Sequence, residues 1–242
     1  MSDAWFYLES IPEVGERCLL DVREARHATG SKRRQSGDHI TCFDGCGVHA
    51  EAFIVDIAKN GRDVTAEIHR RHRAPAPQPS LHLLSALPKG DRLSTMLNMA
   101  TQVGMTAFTP LRCERSVATP SGSWRTRAKR IMIEACKQSR RAHLPNIHDP
   151  VAPHEIDLAD DVQLLADASG RPLHGVCHGA VSQESSIGVI IGPEGGFTDD
   201  EREMMQARGA VVVNLGANVL RIETAAIAML SYLMLVSAAC NE

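Results

Sequence analysis

The apolar positions of this chain change period partway along it. Up to His72 they recur every second residue in short runs. Trp5 to Leu8, Arg17 to Val22, His39 to Phe43, Val48 to Ile57 and Val64 to His69 carry alternating or β-branched and aromatic side chains, the pattern of strands. Asp44-Gly45 and Asn60-Gly61 stand between them, and both dipeptides suit the positive φ of a hairpin turn. Short strands joined by turns predict a small β-barrel. Ala74-Pro75-Ala76-Pro77-Gln78-Pro79 follows. Each proline lacks a backbone donor and restricts its predecessor, so the stretch predicts a stiff linker.

Beyond the linker, apolar runs alternate with helical spacing. Leu81 to Ala86, Ala107 to Leu111, Val162 to Ala166, Ile187 to Ile191 and Val211 to Asn214 read as buried strands. Leu93 to Val103, Ser123 to Arg141, Asp199 to Arg208 and a segment from Glu223 read as helices. Asp199-Asp200-Glu201 suits a helix start, where carboxylates meet the positive end of the dipole. The fold class is therefore α/β, a parallel sheet with helices on both faces. Residues 1–73 form the β domain, 74–79 the linker and 80–242 the α/β domain. The last helix sets Ile227, Met229, Leu230, Leu233 and Met234 among small residues. It is apolar nearly all round, which predicts burial. Ser231, Tyr232 and Ser237 interrupt it, and it falls short of the roughly 20 apolar residues of a membrane span.

Composition adds limits. A hydrophobic fraction of 43% suffices for a core, but aromatics are only 4%, so aliphatic side chains must fill it. The seven cysteines include no Cys-x-x-Cys pair. Cys42 and Cys46 flank the Asp44-Gly45 turn and read as buried or loop thiols. The eleven histidines show no ligand spacing, so no metal is expected. Met-Ser-Asp-Ala-Trp has no charged-then-apolar leader, and the expected setting is the reducing cytoplasm. Net charge is −3, which by itself argues against nucleic acid. Its distribution argues the other way. Arg112 to Arg141 holds nine basic and two acidic residues, whereas Ala142 to Glu242 holds four basic and fourteen acidic. A basic stretch of this kind fits a polyanion such as RNA; the alternative is a solvated helix face.

Candidate chemistry gathers in the last fifty residues. Gly192-Pro193-Glu194-Gly195-Gly196-Phe197 ends one apolar strand. Leu215-Gly216 and Leu220-Arg221-Ile222-Glu223-Thr224-Ala225 follow another. Two such strands make a paired ligand site at the carboxyl ends of a parallel sheet. No Gly-x-x-x-x-Gly-Lys-Ser/Thr and no helix-opening Gly-x-Gly-x-x-Gly is present, so the loops are not a phosphate cradle.

These motifs, with Glu201, resemble the 16S ribosomal RNA uridine N3-methyltransferases of the SPOUT superfamily. The resemblance extends more loosely through Lys89-Gly90-Asp91-Arg92, Glu114-Arg115-Ser116-Val117, Glu134 to Ser139, His27 and Arg33-x-x-x-Gly37-Asp38. It implies a PUA-like RNA-binding barrel, a knotted domain, S-adenosylmethionine as cofactor, 16S rRNA or the small ribosomal subunit as partner, and a homodimer whose site borrows residues from the second subunit. It implies cofactor contacts from Ile191, Gly192, Pro193, Glu194, Gly195, Gly196, Leu215, Gly216, Leu220, Arg221 and Thr224. The RNA contacts it suggests are His27, Arg33, Lys89, Arg92, Arg115 and Arg141.

Methylating uridine N3 requires loss of the N3 proton, in-line positioning and dipoles for the developing imidate. Arg221 is the first candidate, as an arginine fork for a uracil carbonyl oxygen or a phosphate. The alternative is an ion pair from Arg221 to Glu223 or Glu194 that only holds the loop. Glu194 and Glu223 can each take the proton or fix Arg221. Ser31-Lys32, Met99, Gln102, Lys137 and Arg140 depart from the family pattern, away from the cofactor loops. Two rival readings are a methyltransferase for another RNA nucleotide and a non-catalytic RNA-binding assembly factor.

Overall fold

The computed structural model describes residues 4–120, 122–177, 181–182 and 184–239. The N-terminal Met-Ser-Asp and Cys240 lie outside them. Contacts divide the chain into two compact units. The first holds the described residues up to Ala76 together with Ile133–Leu144, and the second Pro77–Met132 and the described residues from Pro145 onward.

The first unit begins with β1 (Trp5–Tyr7), β2 (Arg17–Leu19) and α1 (Val22–Arg26), then a π-helical turn over His27–Ser31. The β-pattern from Arg17 to Val22 stops at Leu19 because Asp21 caps a helix. Its carboxylate accepts hydrogen bonds from the amides of Arg23 and Glu24, both 2.8 Å. Next come β3 (His39–Phe43), β4 (Val48–Ile57) and β5 (Val64–Arg73). They make one curled mixed sheet, ordered β1-β3-β4-β5-β2, with β1 parallel to β3 and the other pairs antiparallel. Its inner face packs Phe6, Ile40, Cys42, Ala50, Ala52, Ile54, Ala66 and Ile68 into a core with Leu20 and Ala25.

Ile133–Leu144 adds a buried ion pair to this unit. Lys137 Nζ lies 3.0 Å from both carboxylate oxygens of Glu24 and 3.1 Å from Glu134. Lys137 answers a buried glutamate. Burial pushes the Glu24 carboxyl up, against the pull of Lys137. Leu144 and Gly45 bond backbone to backbone, as do Gly47 and Ala142.

The second unit contains β6 (Ser80–Ala86), α2 (Arg92–Val103), β7 (Ala107–Leu111), most of α3 (Trp124–Ser139), β8 (Asn146–Ile147), β9 (Val162–Pro172) and α4 (Leu173–Cys177). It ends with β10 (Ser186–Ile191), α5 (Asp199–Ala207), β11 (Val211–Asn214) and α6 (Ile222–Ala239). All six strands are parallel, ordered β11-β9-β10-β6-β7-β8. α6 packs on α2 and lies against β6 and β10. Its Ala226, Met229, Leu230 and Leu233 are buried, but Thr224, Ala228, Leu235 and Ala238 form an exposed stripe, with Leu235 72% exposed. The all-round burial expected of this helix is not met within one chain. No described helix is long and apolar enough to cross a membrane.

β9 runs beyond the apolar stretch that marked it. Val212 pairs with Leu165 and Val213 with Arg171, so the intervening residues of β9 leave the ladder. Gly170 fits here because an added Cβ would stand 2.5 Å from the Val213 backbone.

Breaking the buried pair tests the first unit. Lys137→Met strands the Glu24 carboxylate and is expected to cost about 3–5 kcal/mol in urea unfolding. Adding Glu24→Leu is expected to return most of the loss. Unchanged stability of the single variant would contradict the packing described.

Candidate functional site

Because the second sheet is wholly parallel, its strands release their loops at one edge. At the carboxyl ends of β10 and β11, beside the residues where β9 leaves the ladder, these loops enclose a cavity of about 250 Å³. Ala166, Asp167 and Ala168 enter from β9, Ile191 from β10, and Val213 and Asn214 from β11. Gly192, Pro193, Glu194, Gly196 and Phe197 form one wall; Leu215 to Leu220, Ile222 and Ala225 form the other. Eight of the expected cofactor residues thus share one cavity: Ile191, Gly192, Pro193, Glu194, Gly196, Leu215, Gly216 and Leu220. Gly195, Arg221 and Thr224 lie outside its lining.

The glycines are needed for different reasons. A Cβ at Gly192 would stand 2.9 Å from the Phe197 ring, so this position is closed by the protein's own packing. Gly196 (φ 70°) and Gly216 (φ 119°) hold backbone conformations that disfavour side chains. An added Cβ at either would meet nothing within 4 Å.

The first loop is held by the segment after β7. Arg115 Nη1 donates to the carbonyls of Gly195 at 3.0 Å and Phe197 at 3.2 Å. Glu201 forms a capping box with Thr198 at the start of α5, and its other oxygen accepts the Glu114 amide at 2.8 Å. Arg115, expected at RNA, is thus engaged in shaping the glycine loop.

Three charged groups gather beside the cavity. Arg92, in the first turn of α2, lies 3.3 Å from Glu194 and 3.9 Å from Glu223. Neither glutamate pairs with Arg221. Arg221 is exposed, and its guanidinium has no hydrogen-bond or ion-pair partner among the described residues. The loop-holding ion pair weighed for Arg221 is made by Arg92 instead. Lys89 is exposed, and its carbonyl accepts from Arg92 Nε at 3.3 Å.

The other expected RNA residues belong to the first unit. His27 packs edge-on against Phe6 at 6.0 Å, and burial, aided by Lys137, holds its imidazole below the ordinary value. Arg33 is exposed, with φ 50°. Arg141 is half-buried, and burial lowers its guanidinium. Much of the basic stretch is used locally. Arg112 pairs with Glu155, Arg125 with Asp149 and Arg127 with Asp91.

Sequence reasoning missed Asp167 and Ala168, which line the cavity. The signal was an acidic residue just past the buried apolar run of a parallel strand. Among the described residues, no cysteine lines the cavity. Burial pushes Cys113 up to about 12 and Cys136 up to about 11. Among the described residues, no group of three or more His, Cys, Asp or Glu is placed to hold a metal ion.

Parallel strands that pool their carboxyl-end loops around one largely apolar cavity define an α/β ligand-binding domain. The chain belongs to the RNA methyltransferase family, whose domain model matches residues 74–234. It is 30% identical over 234 residues to the Ribosomal RNA small subunit methyltransferase E of Mycobacterium bovis, covering 91% of this chain and 87% of that protein. Among solved structures it is similar to a methyltransferase of Legionella pneumophila in complex with SAM, with 26% identity, TM-score 0.89, and 97% and 98% of the two chains covered. A second is the Ribosomal RNA small subunit methyltransferase E of Neisseria gonorrhoeae bound to S-adenosyl methionine, with 25% identity, TM-score 0.86 and the same coverage.

Two measurements test this geometry. Arg115→Ala should speed amide exchange across Gly195 to Thr198 about tenfold or more, since it removes charge-assisted hydrogen bonds; unchanged exchange would show that Arg115 does not hold the loop. Iodoacetamide at neutral pH should modify exposed Cys46 and spare Cys113 and Cys136 until the chain unfolds. Peptide mass mapping reads this directly, and rapid labelling of Cys113 in the folded chain would refute its burial.

Proposed function

We propose that this chain transfers the methyl group of S-adenosylmethionine to N3 of a uridine in 16S rRNA of the small ribosomal subunit. The observation that carries the reading is the single cavity framed by both glycine loops, with Arg221 beside it and unpaired among the described residues, in a member of the RNA methyltransferase family. The cavity suits the cofactor. Ile191, Leu215, Leu220, Ile222 and Ala225 give it an apolar lining, Gly196 and Gly216 leave open space, and the carboxylates Asp167 and Glu194 complement a cation. When bound, the cofactor supplies an electrophilic methyl group.

The chain's own residues do the rest. Arg221 offers a guanidinium fork to a uracil carbonyl oxygen and stabilises the anion that forms as the N3 proton leaves. Glu194 and Glu223 are the nearby carboxylates that can receive that proton. Arg92 hydrogen-bonds to Glu194 and lies 3.9 Å from Glu223, so its role is positioning. Lys89, Arg33, His27 and Arg141 are assigned to RNA.

The same reading takes residues 1–73 as a PUA-like RNA-binding barrel, 74–79 as the linker and 80–242 as a knotted methyltransferase domain. It includes a homodimer, supported by the exposed stripe of α6. The expected setting is the cytoplasm, where that substrate is found.

The test is transfer of labelled methyl from S-adenosylmethionine to small subunits lacking the modification, with the nucleotide mapped by mass spectrometry. N3-methyluridine is the expected product; label on another base or on ribose would reject the assignment. Arg221→Ala should lower turnover about 100-fold or more, as loss of a transition-state donor does, while cofactor affinity by calorimetry changes little. Near-normal turnover would remove Arg221 from the mechanism.

A further inference from the structure

In a curled sheet, alternation sends one set of side chains to the core and leaves the other facing water. In the first unit the outward set is unusually rich in flat rings. Trp5 stacks on His49 at 5.7 Å and 19°, and His49 on His72 at 5.1 Å and 21°. Beside this row, Phe53 meets His39 at 5.2 Å and His69 at 5.4 Å. Phe43 lies under Trp5 and Tyr7. Aromatics make up only 4% of the chain, yet Trp5, Tyr7 and Phe53 share this face, with Phe43 completely buried beneath them.

The concentration depends on a β-bulge. Glu51 pairs with Arg70 but Ala52 with Ile68, so His69 is an extra residue in β5. Before the bulge, Val64, Ala66 and Ile68 face the core. After it, Arg70 stands opposite Glu51 and His72 opposite His49. Without the bulge, Arg70 and His72 would point inward.

One ring in each row is open to solvent. Phe53 is 40% exposed and the His72 side chain 38%. Burial, with His72 second, holds His49 below the ordinary imidazole value, so its ring is uncharged near neutral pH. The charge around the rings favours an anion. Glu51 lies 3.3 Å from His72, 3.8 Å from Arg70 and 3.9 Å from His39, and Glu67 is paired with Arg17. Arg73 is exposed with no partner among the described residues, and the Arg70 side chain is 63% exposed.

We propose that the outer face of β3, β4 and β5, with Trp5, is a stacking platform for unpaired bases of single-stranded RNA, its phosphates met by Arg70 and Arg73. The inference rests on RNA being the substrate, as proposed above, and names a surface distinct from His27 and Arg33. Open aromatic rings beside guanidinium groups are the chemistry that holds single strands with little sequence preference.

The chain has two tryptophans, Trp5 and Trp124, so a full-length Trp124→Phe protein carries one reporter on the platform. Short single-stranded oligoadenylate should quench Trp5 emission. The same length of abasic ribose-phosphate, which keeps the charge and lacks the rings, should quench little. Phe53→Ala and His72→Ala should each weaken oligoadenylate binding about tenfold, and Phe53→Leu, which keeps apolar bulk without a ring, should weaken it similarly. Thermal unfolding and cofactor affinity should be unchanged in all three.

Equal quenching by abasic strands, or full affinity in both Phe53 variants, would overturn the platform. Loss of activity on assembled subunits with no Trp5 response to RNA would also overturn it, indicating a protein partner instead. Methylation of a different nucleotide, with Trp5 quenching intact, would reject the proposed uridine target and leave the platform standing.

Discussion

The second unit depends on the parallel pairing of β6, β10, β9 and β11. Ile187, Val189 and Ile190 are completely buried in the central strand β10. Because the strands run the same way, every carboxyl-end loop opens at one edge, and the backbone there has no further strand to pair with. Both glycine loops inherit their position from this constraint. The Arg115 guanidinium and the Thr198–Glu201 cap then fix the shape of the first of them.

Two arginines beside the cavity illustrate how context separates similar residues. Among the described residues, Arg92 lies against two carboxylates and Arg221 against none. A carboxylate held by a guanidinium is an oriented group. A guanidinium without a partner is one whose hydrogen-bond donors remain available to a ligand. The sequence places Arg221 two residues from Glu223, yet chain proximity does not make them a pair.

Local pattern made the strands of the second unit legible, since buried parallel strands are runs of Val, Ile and Leu. Ile187 to Ile191 and Val211 to Asn214 needed little more. The glycine loops were legible by motif, and eight of their expected residues line one cavity. Other features were not. The Asp21 cap converts what reads as strand into α1. The outer part of β9 is polar and reads as loop, because it leaves the ladder. The bulge at His69 is set by pairing across strands, which a single strand's pattern cannot report. Arg92 and Arg115 looked like free cations because their partners lie far away in sequence. Periodicity in α3 likewise reports burial without naming the partner, so it gives no sign that Ile133–Leu144 packs with N-terminal residues.

That last packing makes the first unit discontinuous in the chain. Residues 77–132 intervene before it is complete. On a ribosome, β1 to β5 must wait for the start of the second unit to be synthesised before Lys137 reaches Glu24 and His143 reaches the Ala74 carbonyl. A fragment cut at the proline stretch would carry every strand of the sheet and leave Glu24 buried without its counter-ion. The N-terminal unit is therefore poorly suited to gene fission or to transplantation as a cassette, and its folding is coupled by covalent order to the helix that follows β7.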